Sequence, residues 1–168
     1  MKHPDQRVGV FVDVGNMYHS AKNLHAARVN FKAVLTAAVA DRKIIRAIAY
    51  VIRSNSTEEE KFFDALDKSG FEVKAKDLQV FFGGLKKGDW DVGLAMDSIK
   101  MSPKLDVVCI VSGDGDYLPL VEYLQYHGLL VEVLAFGETC SSKLRETADD
   151  FIDLSSDKRK FLIAKREP

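Results

Sequence analysis

Two short acidic turns are the part of this sequence best equipped to do chemistry. Asp13 ends one apolar run, and Asp114 and Asp116 flank a glycine just after a second run, Val107 to Val111. A carboxylate among apolar neighbours is costly to bury unless a partner compensates its charge. Carboxylates held close together either raise one another's pKa or bind a cation. The two turns therefore predict an acidic site that holds a divalent metal ion.

A third acidic segment, Asp91 to Asp97, lies between the two turns in the sequence. Its pattern predicts a helix from Trp90 to Met101 with apolar residues on two sides, which is typical of a mostly buried helix. Asp97 falls in one of the apolar rows, where an ordinary surface carboxylate is not expected. We therefore predict a functional role for it. Asp91 has a second explanation, because an acidic residue in a first helical turn interacts favourably with the helix dipole.

The turn residues also have purely structural explanations. Asn16 is a candidate N-cap, and Asp116 is a candidate cap for the helix that follows it. Asp and Gly suit tight turns. A calcium loop of the EF-hand type is excluded because its later ligand positions are missing. A phosphotransferase with Asp13 as nucleophile is disfavoured because Gly15 stands where a second acidic residue is expected.

The donor types favour particular ions and substrates. An all-oxygen set without His or Cys favours Mg²⁺ or Mn²⁺ over zinc. Such ions generate hydroxide from water and neutralise charge on a phosphoryl group. We predict Lys87, Arg53 and Ser54 as phosphate or RNA contacts, although Lys87 also suits a solvated turn. Ser112, just after the second apolar run, either joins the site or bonds only within its own turn.

Strands and helices alternate along the whole chain. The near-continuous Val and Ile runs predict an α/β fold, with a mostly parallel sheet of five or six strands and helices on both faces. Ligands of such sheets bind beyond the carboxyl ends of the strands, where the strand order reverses. If the first strand and the Val107 to Val111 strand are neighbours, Asp13, Asp114 and Asp116 meet there. The predicted strands are Val8–Asp13, Ile44–Ile52, Phe71–Lys76, Val107–Val111, Leu129–Ala135 and the edge segment Phe151–Leu154.

Composition sets the broad class. The 168 residues carry 24 Lys and Arg against 25 Asp and Glu, a net charge of −1, so no global basic field indicates nucleic acid. We predict one domain over residues 1–168, with a core at 8–154 and a short basic tail at 155–168. Cys109 and Cys140 set no disulfide framework. The absence of an apolar signal or membrane segment predicts a cytoplasmic protein with no membrane partner.

Three motifs stand out along the chain. They are Val12-Asp13-Val14-Gly15-Asn16, the segment from Lys87-Gly88 through Asp91 to Asp97, and Ser112-Gly113-Asp114-Gly115-Asp116-Tyr117 with Pro119-Leu120. Together they resemble the motifs of the NYN domain, in its LabA-like branch of the PIN-like nuclease superfamily. The resemblance covers about Val8 to Leu154 and implies a three-layer PIN-like fold with a metal-dependent ribonuclease site. It implies that Asp13, Asp97, Asp114 and Asp116 are catalytic, metal-binding carboxylates, and that Asn16, Asp91 and Ser112 lie beside them.

The leading hypothesis is a metal-dependent endoribonuclease that hydrolyses RNA at an acidic Mg²⁺ or Mn²⁺ site. We expect single-stranded RNA as its partner, and a homodimer stays possible. The alternative is a non-catalytic regulatory domain that keeps the acidic site and binds RNA or a nucleotide. The two hypotheses differ in whether metal-stimulated cleavage occurs.

Overall fold

The computed structural model describes residues 2–84 and 86–164, with only the backbone of Lys86 and Lys87. Strands and helices alternate through this part of the chain, and short 3-10 turns cover residues 102–104, 115–117 and 154–156. The helices are α1 (Val14–His25), α2 (Phe31–Val39), α3 (Thr57–Lys68), α4 (Asp91–Met101), α5 (Leu118–Tyr126), α6 (Ser142–Thr147) and α7 (Lys158–Phe161). The strands are β1 (Arg7–Asp13), β2 (Ala27–Val29), β3 (Lys43–Arg53), β4 (Glu72–Asp77), β5 (Gln79–Val80), β6 (Lys86–Lys87), β7 (Val107–Val111), β8 (Leu130–Ala135), β9 (Asp150–Asp153) and β10 (Leu162–Ala164).

Six of these strands form one parallel sheet in the order β4-β3-β1-β7-β8-β9. The chain builds outward from β1 to β4, crosses back, and then builds outward from β7 to β9. The strand order therefore reverses between β1 and β7. The predicted α/β fold is confirmed, and so is the predicted pairing of β1 with β7. Their carboxyl ends form the crevice in which such sheets bind ligands.

Helices cover both faces of this sheet and make the fold three-layered. Right-handed crossovers place α1 to α3 on one face and α4 to α6 on the other. The central strands are buried on both sides, which explains their apolar sequences: all of β7 and residues 8–12 of β1 are buried. The architecture is that of a PIN-like fold. Within the described residues, every helix is too short or too polar to cross a bilayer.

The segment after Leu154, which we predicted as a short basic tail, folds back onto the domain. Phe161 is buried, and its carbonyl accepts a 2.8 Å hydrogen bond from the backbone of Asn30. Leu162 to Ala164 then pair with β2 as an antiparallel ribbon. Residues 165–168 lie outside the described residues. The described part of this segment is thus a packed element beside α2.

Candidate metal centre

Asp13 stands at the carboxyl end of β1 and uses both of its carboxylate oxygens. Oδ1 accepts a 3.2 Å bond from the backbone of Asn16, so Asp13 itself caps α1. Oδ2 lies 3.3 Å from the hydroxyl of Ser112 and 3.2 Å from that of Tyr117. One oxygen therefore starts the helix, and the other faces the end of the neighbouring strand. The cap that we considered for Asn16 belongs to Asp13.

The turn after β7 is held against the end of β1 by a continuous set of hydrogen bonds. The amide of Gly113 donates to Oδ1 of Asn16 at 3.0 Å. The hydroxyl of Ser112, whose residue is fully buried, accepts from the amide of Asp114 at 3.2 Å while it contacts Asp13. Gly113 is tightly packed, because a Cβ there would lie 3.0 Å from the Cα of Cys140. These contacts fix where the side chain of Asp114 starts.

Three carboxylates converge beside this turn. Asp91 begins α4, while Asp114 and Asp116 belong to the turn itself. Each contributes one oxygen, and these oxygens all lie within 4.8 Å of one another. Asp114 also caps the 3-10 turn, because its Oδ1 accepts from the amide of Asp116 at 2.9 Å. We call Asp91, Asp114 and Asp116 the acidic group.

Tyr117 connects the acidic group to Asp13. Its hydroxyl oxygen lies 3.1 Å from Oδ1 of Asp91 and 3.2 Å from Oδ2 of Asp13, and the residue is 1% exposed. Burial and the two carboxylates raise the pKa of Tyr117, so its hydroxyl stays protonated. A phenol has one hydrogen and can donate it to only one of the two carboxylates at a time. When the Tyr117 proton goes to Asp91, Asp13 keeps only the hydroxyl of Ser112 as a donor to Oδ2.

The surroundings of the site disfavour the charged forms of its own carboxylates. Burial raises the pKa of Asp13, and the hydrogen bonds that it accepts offset only part of that rise. Burial likewise raises the pKa of Asp91, and the charge of Asp114 adds to it, against the opposing effect of the Tyr117 hydroxyl. Among the ion pairs of the described side chains, none involves Asp13 or the acidic group.

This donor set fits a hard divalent cation. The acidic group offers three carboxylate oxygens from two parts of the chain, the start of α4 and the turn after β7. Oxygen donors suit Mg²⁺ and Mn²⁺, and a cation would compensate the repulsion among the carboxylates. The acidic group is the set that could hold the ion, and Asp13 is its hydrogen-bonded neighbour.

Asp97, which we predicted as a metal ligand, lies elsewhere. Its Oδ2 accepts a 2.9 Å bond from the hydroxyl of Tyr50 and forms a 2.8 Å ion pair with Lys74. Burial would raise the pKa of Asp97, but these two partners outweigh it and lower the pKa. Asp91 occupies the place in the acidic group that we predicted for Asp97.

The register of the sheet explains this difference. Asp13, Tyr50 and Lys74 are aligned across three adjacent strands, with Lys74 two strands from Asp13. Neighbouring strands lie about 4.8 Å apart, so α4 crosses a row about 10 Å long. Six residues separate Asp91 from Asp97 on that helix, which places them about 120° apart around its axis. Asp91 therefore reaches the Asp13 end of the row, and Asp97 reaches the lysine.

The predicted phosphate contacts are occupied elsewhere or lie outside the described side chains. Arg53 forms a 3.7 Å ion pair with Asp77. Ser54 donates a hydrogen bond from its hydroxyl to Glu59 in the first turn of α3. The side chain of Lys87 lies outside the described residues. Sequence reasoning missed the bridging role of Tyr117, and its only signal was a tyrosine directly after the acidic turn.

The chain is similar in sequence to known proteins over most of its length. The chain is 24% identical over 170 residues to the low amplitude and bright protein LabA of Synechococcus elongatus, covering 96% of this chain and 90% of LabA. It is also 24% identical to the uncharacterized protein MJ0482 of Methanocaldococcus jannaschii, covering 91% of this chain and 57% of that protein.

A solved structure has the same fold. The crystal structure of VPA0982, a protein of unknown function from Vibrio parahaemolyticus, superposes with a TM-score of 0.87 at 32% identity, covering 97% of this chain and 99% of that one. The NYN domain profile matches residues 7–155, a range that contains Asp13, Tyr117 and the whole acidic group. The resemblance noted from the motifs is thus confirmed, and this chain belongs to the NYN domain family.

Proposed function

We propose that this protein is a metal-dependent endoribonuclease whose active site is the acidic group together with Asp13. The observation that carries the proposal is the convergence of three carboxylates at the β1–β7 switch point. Their oxygens lie within 4.8 Å of one another, and no ion pair from the described side chains compensates them. Membership of the NYN family, within the PIN-like nucleases, supports RNA as the substrate.

In this proposal each residue has one task. Asp91, Asp114 and Asp116 would hold the ion. Asp13 adds a further negative charge beside them. Ser112 and Tyr117 orient Asp13 through their hydroxyls, while Asn16 holds the turn through the amide of Gly113. A bound Mg²⁺ or Mn²⁺ supplies charge neutralisation on the phosphodiester and lowers the pKa of water. Asp97 is a structural partner of Lys74 and has no part in the chemistry.

The test is a cleavage assay on end-labelled single-stranded RNA with Mg²⁺, with Mn²⁺ and with EDTA. We compare the wild type with Asp91→Asn and Asp114→Asn. Asp67→Asn, an exposed change on α3, is the matched control for the same substitution away from the site. The wild type and Asp67→Asn should cleave only with metal, and both site variants should lose at least about 100-fold in rate.

Two results would contradict the proposed nuclease activity in different ways. If the site variants cleave as fast as the wild type after stringent purification, the cleavage comes from a contaminant and the site is misassigned. If metal raises the melting temperature of the wild type without any cleavage, the alternative of a non-catalytic RNA- or nucleotide-binding domain is favoured. The cytoplasm stays the expected location of either activity.

A further inference from the structure

Exposed aromatic residues follow the edge strand of the sheet. β5 and β6 pair as a small antiparallel ribbon, and Phe81 and Phe82 come directly after β5. Phe82 is fully exposed, and Val80 and Phe81 are 65% and 48% exposed. We call Val80, Phe81 and Phe82 the aromatic tip. Large apolar side chains that gather in the open commonly mark a binding surface, so the tip needs a ligand to explain it.

The aromatic tip lies on the connection between β4 and α4, and Asp91 of the acidic group stands at the end of that connection. The connection leaves the carboxyl end of β4, forms the ribbon and returns into α4. Trp90 anchors the return: its indole donates a 2.8 Å bond to the carbonyl of Val51 and its ring packs on Tyr50 at 5.2 Å. Four residues separate Lys87 from Asp91, so their Cα atoms lie within about 15 Å. The base of the ribbon is therefore within about 15 Å of Asp91, a span that a single strand on the ribbon can bridge.

The segment that carries the aromatic tip has a net charge opposite in sign to that of the acidic group. Residues 76–88 contain three lysines and one aspartate, a net charge of +2 in a chain whose net charge is −1. The ammonium of Lys76 lies 4.7 Å from the ring centroid of Trp90. Cations beside exposed aromatic rings are the combination that binds single-stranded nucleic acid, whose bases stack while its phosphates meet the charges.

We propose that the aromatic tip is a base-stacking platform that holds single-stranded RNA next to the acidic group. The proposal rests on the proposed function for the identity of the substrate. Phe82, which is fully exposed, stacks on an unpaired base, and the lysine-rich segment attracts the backbone of the same strand. Duplex RNA binds poorly there because its bases are already stacked on one another.

A second copy of this chain is a weaker explanation for the exposed residues. Closed dimers most often use a two-fold axis, which places the same patch of both subunits face to face. Such an interface would bring two segments of net charge +2 together. A polyanion with aromatic bases satisfies the charge and the rings at once, so it is the better partner for this surface.

The test uses binding in EDTA, where cleavage cannot occur. The probe is a short single-stranded RNA containing 2-aminopurine, whose fluorescence reports stacking, and its affinity is measured by titration. The variants are Phe82→Ser, Phe82→Leu and Phe82→Trp. Tyr126→Ser removes an 88% exposed aromatic from the end of α5 and is the matched control. Because these side chains are exposed, we expect every variant to fold.

Phe82→Ser and Phe82→Leu should weaken RNA binding roughly 5- to 100-fold and lose the stacking signal, because each removes one stacked ring. Phe82→Trp and Tyr126→Ser should bind like the wild type. Equal affinity of Phe82→Ser and the wild type would overturn the proposal. So would a dimer that Phe82→Ser dissociates, or Phe82-dependent binding to phosphatidylserine vesicles without an RNA signal. Stacking that persists in a protein unable to cleave RNA with metal would refute the nuclease activity and leave the platform intact.

Discussion

The same substitution at two positions of α4 should have opposite effects on stability. Asp91→Asn keeps an oxygen for the Tyr117 hydroxyl but removes one charge from the acidic group. Asp97→Asn removes the charge that pairs with Lys74 at 2.8 Å. In metal-free buffer at neutral pH we expect Asp91→Asn to be more stable than the wild type and Asp97→Asn to be less stable.

The magnitudes follow from the distances. Two charges 4.8 Å apart repel by about 1 kcal/mol in water and about 3.5 kcal/mol at an effective dielectric of 20. Asp91 is half-buried and Asp116 is exposed, so the lower value applies to each of the two pairs that Asp91 makes. Asp91→Asn should therefore gain about 2 kcal/mol from these pairs and lose up to about 1 kcal/mol of interaction with the dipole of α4. The net gain is about 1 kcal/mol, or about 2–4 °C in melting temperature. The loss of a partly exposed ion pair should cost Asp97→Asn about 1 kcal/mol.

The assay is thermal unfolding in EDTA across pH 4 to 8, repeated with Mg²⁺ and Mn²⁺. Because the folded-state pKa of Asp91 is raised, its ionisation destabilises the fold, and this penalty decreases as the pH falls through that raised pKa and is absent at about pH 4, the ordinary pKa of an aspartate. The advantage of Asp91→Asn should shrink accordingly. Because the pKa of Asp97 is lowered, its contribution stays until the pH falls below the ordinary range of an aspartate.

Metal should reverse the order of the wild type and Asp91→Asn. At 100 times its dissociation constant an ion stabilises the wild type by about 2.7 kcal/mol, and Asp91→Asn loses a ligand for it. Asp97→Asn should keep the full metal-induced shift. The reasoning is refuted if Asp91→Asn destabilises the metal-free protein, or if Asp97→Asn abolishes the metal-induced shift while Asp91→Asn retains it.

Three further predictions concern the supports of the site. Tyr117→Phe removes the hydroxyl between two carboxylates and should weaken Mn²⁺ binding about 10-fold by calorimetry; unchanged affinity would contradict a bridging role. Gly113→Ala places a Cβ 3.0 Å from the Cα of Cys140 and should cost about 1–3 kcal/mol in urea unfolding and weaken metal binding. Arg42→Met leaves Glu132 unpaired in the core and should cost about 3–5 kcal/mol, while the metal affinity of the protein that remains folded should match the wild type.

The sequence predicted the sheet well because the sheet depends on local apolar runs. β7 has the predicted bounds, Val107–Val111, and β9 is the predicted edge strand. β2 and β10 were missed because each is three residues long and their pairing joins segments that are far apart in the sequence. Three residues are too few to show the alternating apolar and polar pattern of a strand. Only the long-range contact between the two segments could therefore reveal this ribbon.

The candidate site was predicted in part. Asp114 and Asp116 stand in the acidic group, and Asp13 contacts it through Tyr117, because the ends of neighbouring parallel strands are brought together by topology. Asp97 was placed there because apolar neighbours indicated burial, and its side chain is indeed 15% exposed. Burial does not say which partner a carboxylate meets. That depends on where α4 crosses the sheet, which the sequence of one helix does not contain.

The central position of β1 has a consequence for how the protein is made. Of the six strands of the sheet, β1 is synthesised first, yet its partner β7 lies much further along the sequence: Val8 pairs with Val107. Until that residue has left the ribosome, one edge of an apolar strand stays unpaired, and open strand edges invite pairing with other chains. The acidic group cannot form before then either, because Asp114 follows β7. Pairing with β7 therefore covers the open edge of β1 and brings the acidic group together in the same step.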